Sequence, residues 1–210
     1  MIDRFLLPLQ HRMLAPPARL LAARGVMADQ VTLTGLALGA MAALLIALGV
    51  PGPGAVLLLL NRLADGLDGA LARATAPTDR GAFLDSAADF LFYASVPLAF
   101  ALADPARNAL PAAALLAAFV GTGSTFLAFA ALAGRRGMVA ADYPLKGFYY
   151  LGGLTEGTET ILVFLAMAIW PAWFPALAWV FATLCLITTA SRIRQGWLAF
   201  STPRTSEDER

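Results

Sequence analysis

Apolar blocks of about twenty residues alternate with short polar connections along most of this chain. Charge gathers in the connections and in one stretch over 62–89. Blocks of that length match the hydrocarbon thickness of a bilayer. They predict helices over about 29–50, 55–74, 81–102, 110–133, 148–170 and 174–194. Asp29 is placed to cap the first. Pro51-Gly52-Pro53-Gly54 reads as a tight turn, and Asp104-Pro105 ends the third helix. Ahead of these, Ile2, Phe5, Leu6, Leu9 and Met13 fall at helical spacing, with Arg4, Gln10 and Arg12 off that stripe. This predicts an amphipathic helix in the membrane interface, broken at Pro16-Pro17. The expected fold is all-α: a polytopic membrane protein with six transmembrane helices and an N-terminal interfacial amphipathic helix. Its expected division is 1–26 interfacial segment, 27–196 six-helix domain and 197–210 cytoplasmic tail.

Composition supports that reading. Of 210 residues, 59% are hydrophobic and mean hydropathy is +0.70, against roughly 45–50% apolar for soluble domains. A net charge of +1 gives no field for nucleic acid. The lone Cys185 excludes an intrachain disulfide and a cysteine metal site. Asp3 and Pro16-Pro17 do not fit a cleavable leader, so the first span is expected to direct insertion. Arg4, Arg12, Arg19, Arg24, Arg73, Arg80, Arg135, Arg136, Lys146, Arg192, Arg194, Arg204 and Arg210 fall on one side of the predicted topology, and Arg107 on the other. The positive-inside rule puts both termini in the cytoplasm.

The chemistry lies in Asp65-x-x-Asp68-Gly69-x-x-Ala72-Arg73 and Gly81-x-x-x-Asp85-x-x-x-Asp89. Acids within membrane spans are costly, and a cluster at helical spacing marks a functional site. Asp65 and Asp68 share one helix face, and Asp85 and Asp89 share a face of the next. A short connection makes these helices antiparallel, so both pairs converge at the cytoplasmic end. Four carboxylates need cations, and all-oxygen donors favour Mg²⁺ or Mn²⁺, with two ions as the expected count. Gly69 and Ala72 clear space beside the acids, Arg73 offers a fork to phosphate oxygens, and Gly81 opens a helix N-terminus suited to anions. A bland acidic patch on a solvated helix end explains the pattern far less well.

The segment Asp65–Asp89 resembles the signature of the CDP-alcohol phosphatidyltransferase family. Through Gly152-Gly153-Leu154-Thr155-Glu156-Gly157-Thr158-Glu159-Thr160 the chain also resembles an uncharacterised bacterial inner-membrane branch of that family. The resemblance implies transfer of a substituted phosphate from a CDP-alcohol to a second alcohol, with release of CMP. It makes Asp65, Asp68 and Asp85 metal ligands, and Asp89 the general base that also touches metal. Gly69, Arg73, Thr78 and Gly81 would contact the CDP moiety. Thr32 would too, although Ala28-Asp29 stands where the family often has Pro-Asn. Seven residues between Arg73 and Gly81, where eight are commoner, depart from the pattern near Thr78. The implied setting is the bacterial inner membrane, with the site facing the cytoplasm, membrane lipid as surroundings and a homodimer as assembly.

For the acceptor, basic residues at these helix ends bind phosphate in relatives, which makes Arg135, Lys146 and Arg192 candidates and glycerol 3-phosphate a candidate alcohol. The positive-inside rule would place such residues there anyway. Glu156 and Glu159, three apart within the fifth predicted span, either read an amine or hydroxyls or pair with Arg192 or Arg62. The leading expectation is a phosphatidyl transfer from CDP-diacylglycerol to a small polar alcohol. The alternatives are a CDP-choline or CDP-ethanolamine type phosphotransferase acting on diacylglycerol, a membrane prenyltransferase, and a non-enzymatic metal-binding or scaffold protein. His11, without partners at metal or triad spacing, is not expected to be catalytic.

Overall fold

A computed structural model describes residues 3–137 and 153–201, with side chains from residue 9 onward. Among the described residues the secondary structure is helical: α1 (Asp3–Ala23), α2 (Ala28–Ala47), α3 (Pro51–Ala74), α4 (Asp79–Ala103), α5 (Pro105–Arg135), α6 (Gly157–Ile169) and α7 (Phe174–Ala199), with a short 3-10 turn at Pro171–Trp173. Among the described residues, four helical stretches are long and apolar enough to cross a membrane: Ala28–Ala47, Asp79–Ala103, Pro105–Arg135 and Pro171–Ala199. The expected count of six is not reached among the described residues: α3 carries charges in its second half, and α6 has only 13 residues.

Several helix ends differ from the sequence reading. Pro51-Gly52-Pro53-Gly54 is the first turn of α3 rather than a connection. Proline suits the first helical position because its missing N–H would have no helical partner there. The reversal lies just before it, where Gly49 takes a φ of 80°, a left-handed conformation glycine adopts without Cβ strain. Gly54 is needed for close packing, since a Cβ there would lie 2.9 Å from Ile46 Cγ1. Asp29 is not the cap of α2. Met27 holds that position, its N–H donating to Gln30 Oε1 at 3.0 Å. α5 begins directly after Asp104, whose carboxylate accepts from the Arg107 N–H at 3.2 Å.

Pro16-Pro17 does not break α1. The two prolines forfeit ladder donors, but α1 is held from outside. Ala18, Leu14 and Leu21 pack with Ala70, Leu71 and Leu67 of α3. Gly66 of α3 sits directly against Gln10 and Leu14. Gln10, off the apolar stripe, therefore faces protein, whereas Leu9 and Met13 of the stripe are exposed, as suits a helix lying in lipid.

α2 packs on α3 and α4, α4 on α5, α5 on α7, and α6 on α3. An aromatic core joins them. Phe92 and Tyr93 of α4 meet Phe119 of α5 and Phe164 of α6, Phe119 meets Phe181 of α7, and Phe100 stacks on Phe174 at 4.5 Å. The outward side chains, among them Leu33, Met41, Val56, Leu63, Leu98, Val120 and Val180, are apolar. This is the surface of a protein solvated by lipid tails.

Candidate active site

Where α2, α3 and α4 meet, Asp65, Asp68, Asp85 and Asp89 line one cleft together with Thr32, Gly35, Leu36, Asn61, Arg62 and Ala88. Helical spacing explains half of this: three residues separate Asp65 from Asp68 and four separate Asp85 from Asp89, so each pair stays on one face. Small residues supply the rest. A Cβ on Gly35 would lie 3.1 Å from Ala64 Cβ, and one on Gly39 would lie 2.7 Å from Phe92 Cδ2. α2 is thereby drawn against both acid-bearing helices.

Asp68 is buried, faces the Thr32 hydroxyl, and has an Oδ2 without a hydrogen-bond partner. A buried, unmatched carboxylate oxygen is costly, and a cation is the partner that suits it. The cleft's oxygen-only donors suit a hard divalent ion. Among the described residues, no three histidine, cysteine, aspartate or glutamate side chains are already drawn together as a ligand set. The aspartates share the cleft and remain apart.

A cation of the chain's own lies among them. Arg62 reaches Asp89 Oδ1 through Nη2 at 2.9 Å and Asp65 Oδ2 through Nη1 at 3.4 Å. Its Nε donates to Asn61 Oδ1 at 2.9 Å, and Asn61 donates to the Gly35 carbonyl of α2 at 2.8 Å. Sequence reasoning offered Arg62 as a partner for Glu156 or Glu159; it pairs instead with two of the aspartates. Its spacing of three before Asp65 was the available signal.

The other candidates fall into place around this centre. Arg73 is exposed and its guanidinium lies back over Gly69, whose Cβ position is 3.3 Å from Arg73 Nη1. Thr78 caps α4, accepting from the Gly81 N–H at 3.0 Å. Asp29 pairs with Arg80 at 2.6 Å, and its Oδ1 lies 3.3 Å from the Gly81 Cβ position. The starts of α2 and α4 are therefore side by side, with Thr32, Thr78 and Gly81 near that junction.

Among the described residues, the acceptor candidates do not line the cleft. Glu156 is the N-cap residue of α6 and Glu159 stands in its first turn, so both lie at the start of that helix rather than in its interior as expected. Acids suit that position beside the positive helix end. Glu156 Oε1 accepts from the Gly153 N–H at 3.2 Å. Arg192 of α7 is buried, donates to the Thr122 carbonyl of α5 at 3.0 Å, and lies beside Gly153. Thr155, just before α6, donates to the Thr188 hydroxyl of α7 at 3.1 Å. These residues form a polar seam between α5, α6 and α7. Arg135 is exposed in the last turn of α5, and Lys146 lies outside the described residues.

Comparison with known proteins finds relatives over most of the chain. A profile of the CDP-alcohol phosphatidyltransferase family matches residues 25–191. The chain is 51% identical over 198 residues to the inner membrane protein YnjF of Escherichia coli (strain K12), covering 94% of this chain and 96% of the relative. Its fold is similar to Mycobacterium tuberculosis phosphatidylinositol phosphate synthase. The structure of that enzyme with CDP-DAG bound superposes with a TM-score of 0.68 at 25% identity, covering 93% of this chain and 99% of that one. The structure with manganese and citrate gives 0.72 at 26%, covering 92% and 93%. With the signature aspartates in one cleft and the match spanning its helices, the chain belongs to the CDP-alcohol phosphatidyltransferase family, as a multi-pass membrane transferase.

Proposed function

We propose that this protein transfers the phosphatidyl group of CDP-diacylglycerol to a small polar alcohol, glycerol 3-phosphate among the candidates, and releases CMP in phospholipid synthesis. The observation that carries this reading is the cleft that collects Asp65, Asp68, Asp85 and Asp89. The CDP-DAG and manganese found with the mycobacterial relative support it. Asp65, Asp68 and Asp85, with Asp89, would hold Mg²⁺ or Mn²⁺, which withdraws charge from a diphosphate when bound.

The chain's own groups then have separate roles. Arg73 and the α4 N-terminus at Gly81 bind and orient phosphate oxygens, and Thr32 and Gly69 line the approach. Asp89 Oδ1 is engaged by Arg62, which leaves Oδ2 to take the proton of the acceptor hydroxyl as it attacks phosphorus. Positioning and fixed charge carry the rate, and no covalent intermediate on the protein is needed. The acceptor is met from the seam side, by Arg192 with Glu156, Glu159, Arg135 and Lys146 as further contacts. What supports this side is that Gly123, next to Thr122, packs against Phe90, next to Asp89. The cleft faces the cytoplasm by the distribution of arginines, and the working unit is a homodimer.

The test is CMP release by purified protein given CDP-diacylglycerol, Mn²⁺ or Mg²⁺, and a pool of polar alcohols, with mass spectrometry of the lipid formed. Release only with labelled CDP-choline and diacylglycerol would favour the other donor class. No release with any CDP-alcohol would favour a scaffold.

A further inference from the structure

We propose that the alcohol this protein accepts carries no phosphate. It is a polyol or an amino alcohol, held through its own O–H or ammonium donors by the acids of the seam between α5, α6 and α7. This deepens the phosphatidyl-transfer reading above and rests on it. The seam reaches the reacting end of the cleft through α5. Arg192 Nη1 donates to the Thr122 carbonyl at 3.0 Å. A Cβ on the next residue, Gly123, would lie 2.6 Å from Cε1 of Phe90, the neighbour of Asp89. The seam's charges therefore decide which acceptor suits it.

Among the described residues, those charges are two acids, Glu156 and Glu159, and one base, Arg192. The acids stand three apart at the start of α6, so they share one face. A helix start would otherwise draw a phosphate, through its N–H groups and positive end. Here the chain's own carboxylates already supply that negative charge. The first turn, Gly157-Thr158-Glu159-Thr160, contains no basic side chain. Arg192 does not make up the difference. It is buried, and its guanidinium carbon lies 5.9 Å from the Phe126 ring. Its Nη2 lies 3.5 Å from the Cβ position of Gly153, whose N–H donates to Glu156 Oε1 at 3.2 Å. Arg135 is exposed at the end of α5. Arg136 is engaged elsewhere, over the Phe200 ring and on the Ala199 and Phe200 carbonyls. The sequence between Arg136 and Gly153 adds Asp142 and Lys146, whose charges cancel. A phosphate dianion in the seam would thus meet like charges in an apolar surround, where they repel strongly. Hydroxyl and ammonium donors meet the opposite, because ionised carboxylates only accept and have several lone-pair sites each.

The experiment measures CMP release by the purified full-length protein in detergent, with Mn²⁺, CDP-diacylglycerol and one alcohol at a time. Glycerol, inositol, serine and ethanolamine are set against glycerol 3-phosphate and inositol 1-phosphate. The expected result is release with an unphosphorylated alcohol and a kcat/KM at least about tenfold lower with either phosphorylated one, the worth of a charged hydrogen bond. Release confined to the polyols or to the amino alcohols supports the proposal and tells which donor the acids take. A phosphorylated alcohol within tenfold of the best acceptor, or better than it, overturns the proposal and leaves phosphatidyl transfer standing. No release with any of these alcohols overturns the transfer reading, and this proposal with it. Glu159→Arg should narrow the preference against phosphorylated alcohols by about tenfold, with the CDP-diacylglycerol KM unchanged. An unchanged preference in a folded Glu159→Arg, judged by its circular dichroism, overturns the proposal too. The wild-type comparison decides if that variant fails to fold.

Discussion

Two polar regions interrupt this apolar bundle, and they differ in what their charged groups face. In the cleft of α2, α3 and α4, the side chains of Asp65 and Asp89 keep 32% and 31% of their exposure. Their neighbours there are Arg62 and one another. In the seam of α5, α6 and α7, Glu156 and Arg192 fall to 9% and 8%, and they reach backbone groups of neighbouring segments, Gly153 N–H and Thr122 C=O. Acids and arginines are expensive in either place. A group at an opening can exchange its partner for a ligand, whereas one bonded to backbone also fixes a helix. The cleft is organised for exchange and the seam for holding, so the acceptor role proposed for the seam would be laid over a structural one.

The largest test of that contrast is a paired substitution in the cleft. Asp89→Asn should lower CMP release by about 10²–10⁴-fold, the usual worth of a general base, while binding of the CDP-alcohol and the melting temperature stay near wild type. Asp68→Asn should lower Mn²⁺ affinity as well as rate. A melting temperature that falls steeply in either variant would mean that the cleft is held together by its acids, and the contrast would be lost. CMP release near the wild-type rate in Asp89→Asn would remove that residue from the base role.

The seam should answer differently. Arg192→Met removes the guanidinium from the Thr122 carbonyl, which still accepts from the Thr125 hydroxyl, and should cost about 1–2 kcal/mol of stability. It should also raise the acceptor KM about tenfold with the CDP-diacylglycerol KM unchanged. Lost stability with an unchanged acceptor KM would leave the seam a purely structural lock.

How far each region could be read beforehand follows from where its residues lie in the chain. The cleft aspartates fall within one helical hairpin, residues 65–89, so helical periodicity and a short connection suffice to bring them together. The seam joins Thr122, Gly153, Thr155, Glu156, Thr188 and Arg192. Its contacts depend on how three distant helices pack, which periodicity does not specify. The six apolar blocks located the helices, yet Pro51 and Pro105 were misread as connections. Local propensity treats proline as a breaker, whereas the first helical turn accepts it. Pro16-Pro17 misled for another reason, since packing of Ala18 on α3 overrides the lost donors. Arg62 was visible three residues before Asp65, but its stacking on Phe92 and Tyr93 required α4 to be in place.

A smaller effect compares the close contacts that shape the two regions. Gly39→Ala would put a methyl 2.7 Å from Phe92 Cδ2 and 3.1 Å from Asn61 Nδ2, both of which hold Arg62. Overpacking of this kind costs about 1–2 kcal/mol, and here it should also lower the rate by displacing the guanidinium. Gly153→Ala, pressed against Thr188 in the seam, should cost similar stability and leave the CDP-diacylglycerol KM as it is. Thermal unfolding with steady-state kinetics on both variants checks this, and equal kinetic damage from the two would erase the distinction.

The smallest expected effect is a pH dependence that belongs to the cleft side alone. His11 of α1, the chain's sole histidine, is held below the usual imidazole range of 6.5 by partial burial and then by the nearby Arg73 guanidinium. A base with a lowered folded pKa binds its proton more readily in the unfolded chain, so its contribution favours unfolding as pH falls. Stability from this source is complete above about pH 6.5 and declines as pH drops through the interval below it. Wild type should therefore lose more melting temperature between pH 7 and pH 5 than His11→Gln does. The difference should shrink in an Arg73→Gln background, because one of the two causes is then gone. Matching pH profiles for wild type and His11→Gln would show that α1 and the rim of the cleft are not electrostatically joined, and the pH response of the protein would then have to come from its carboxylates.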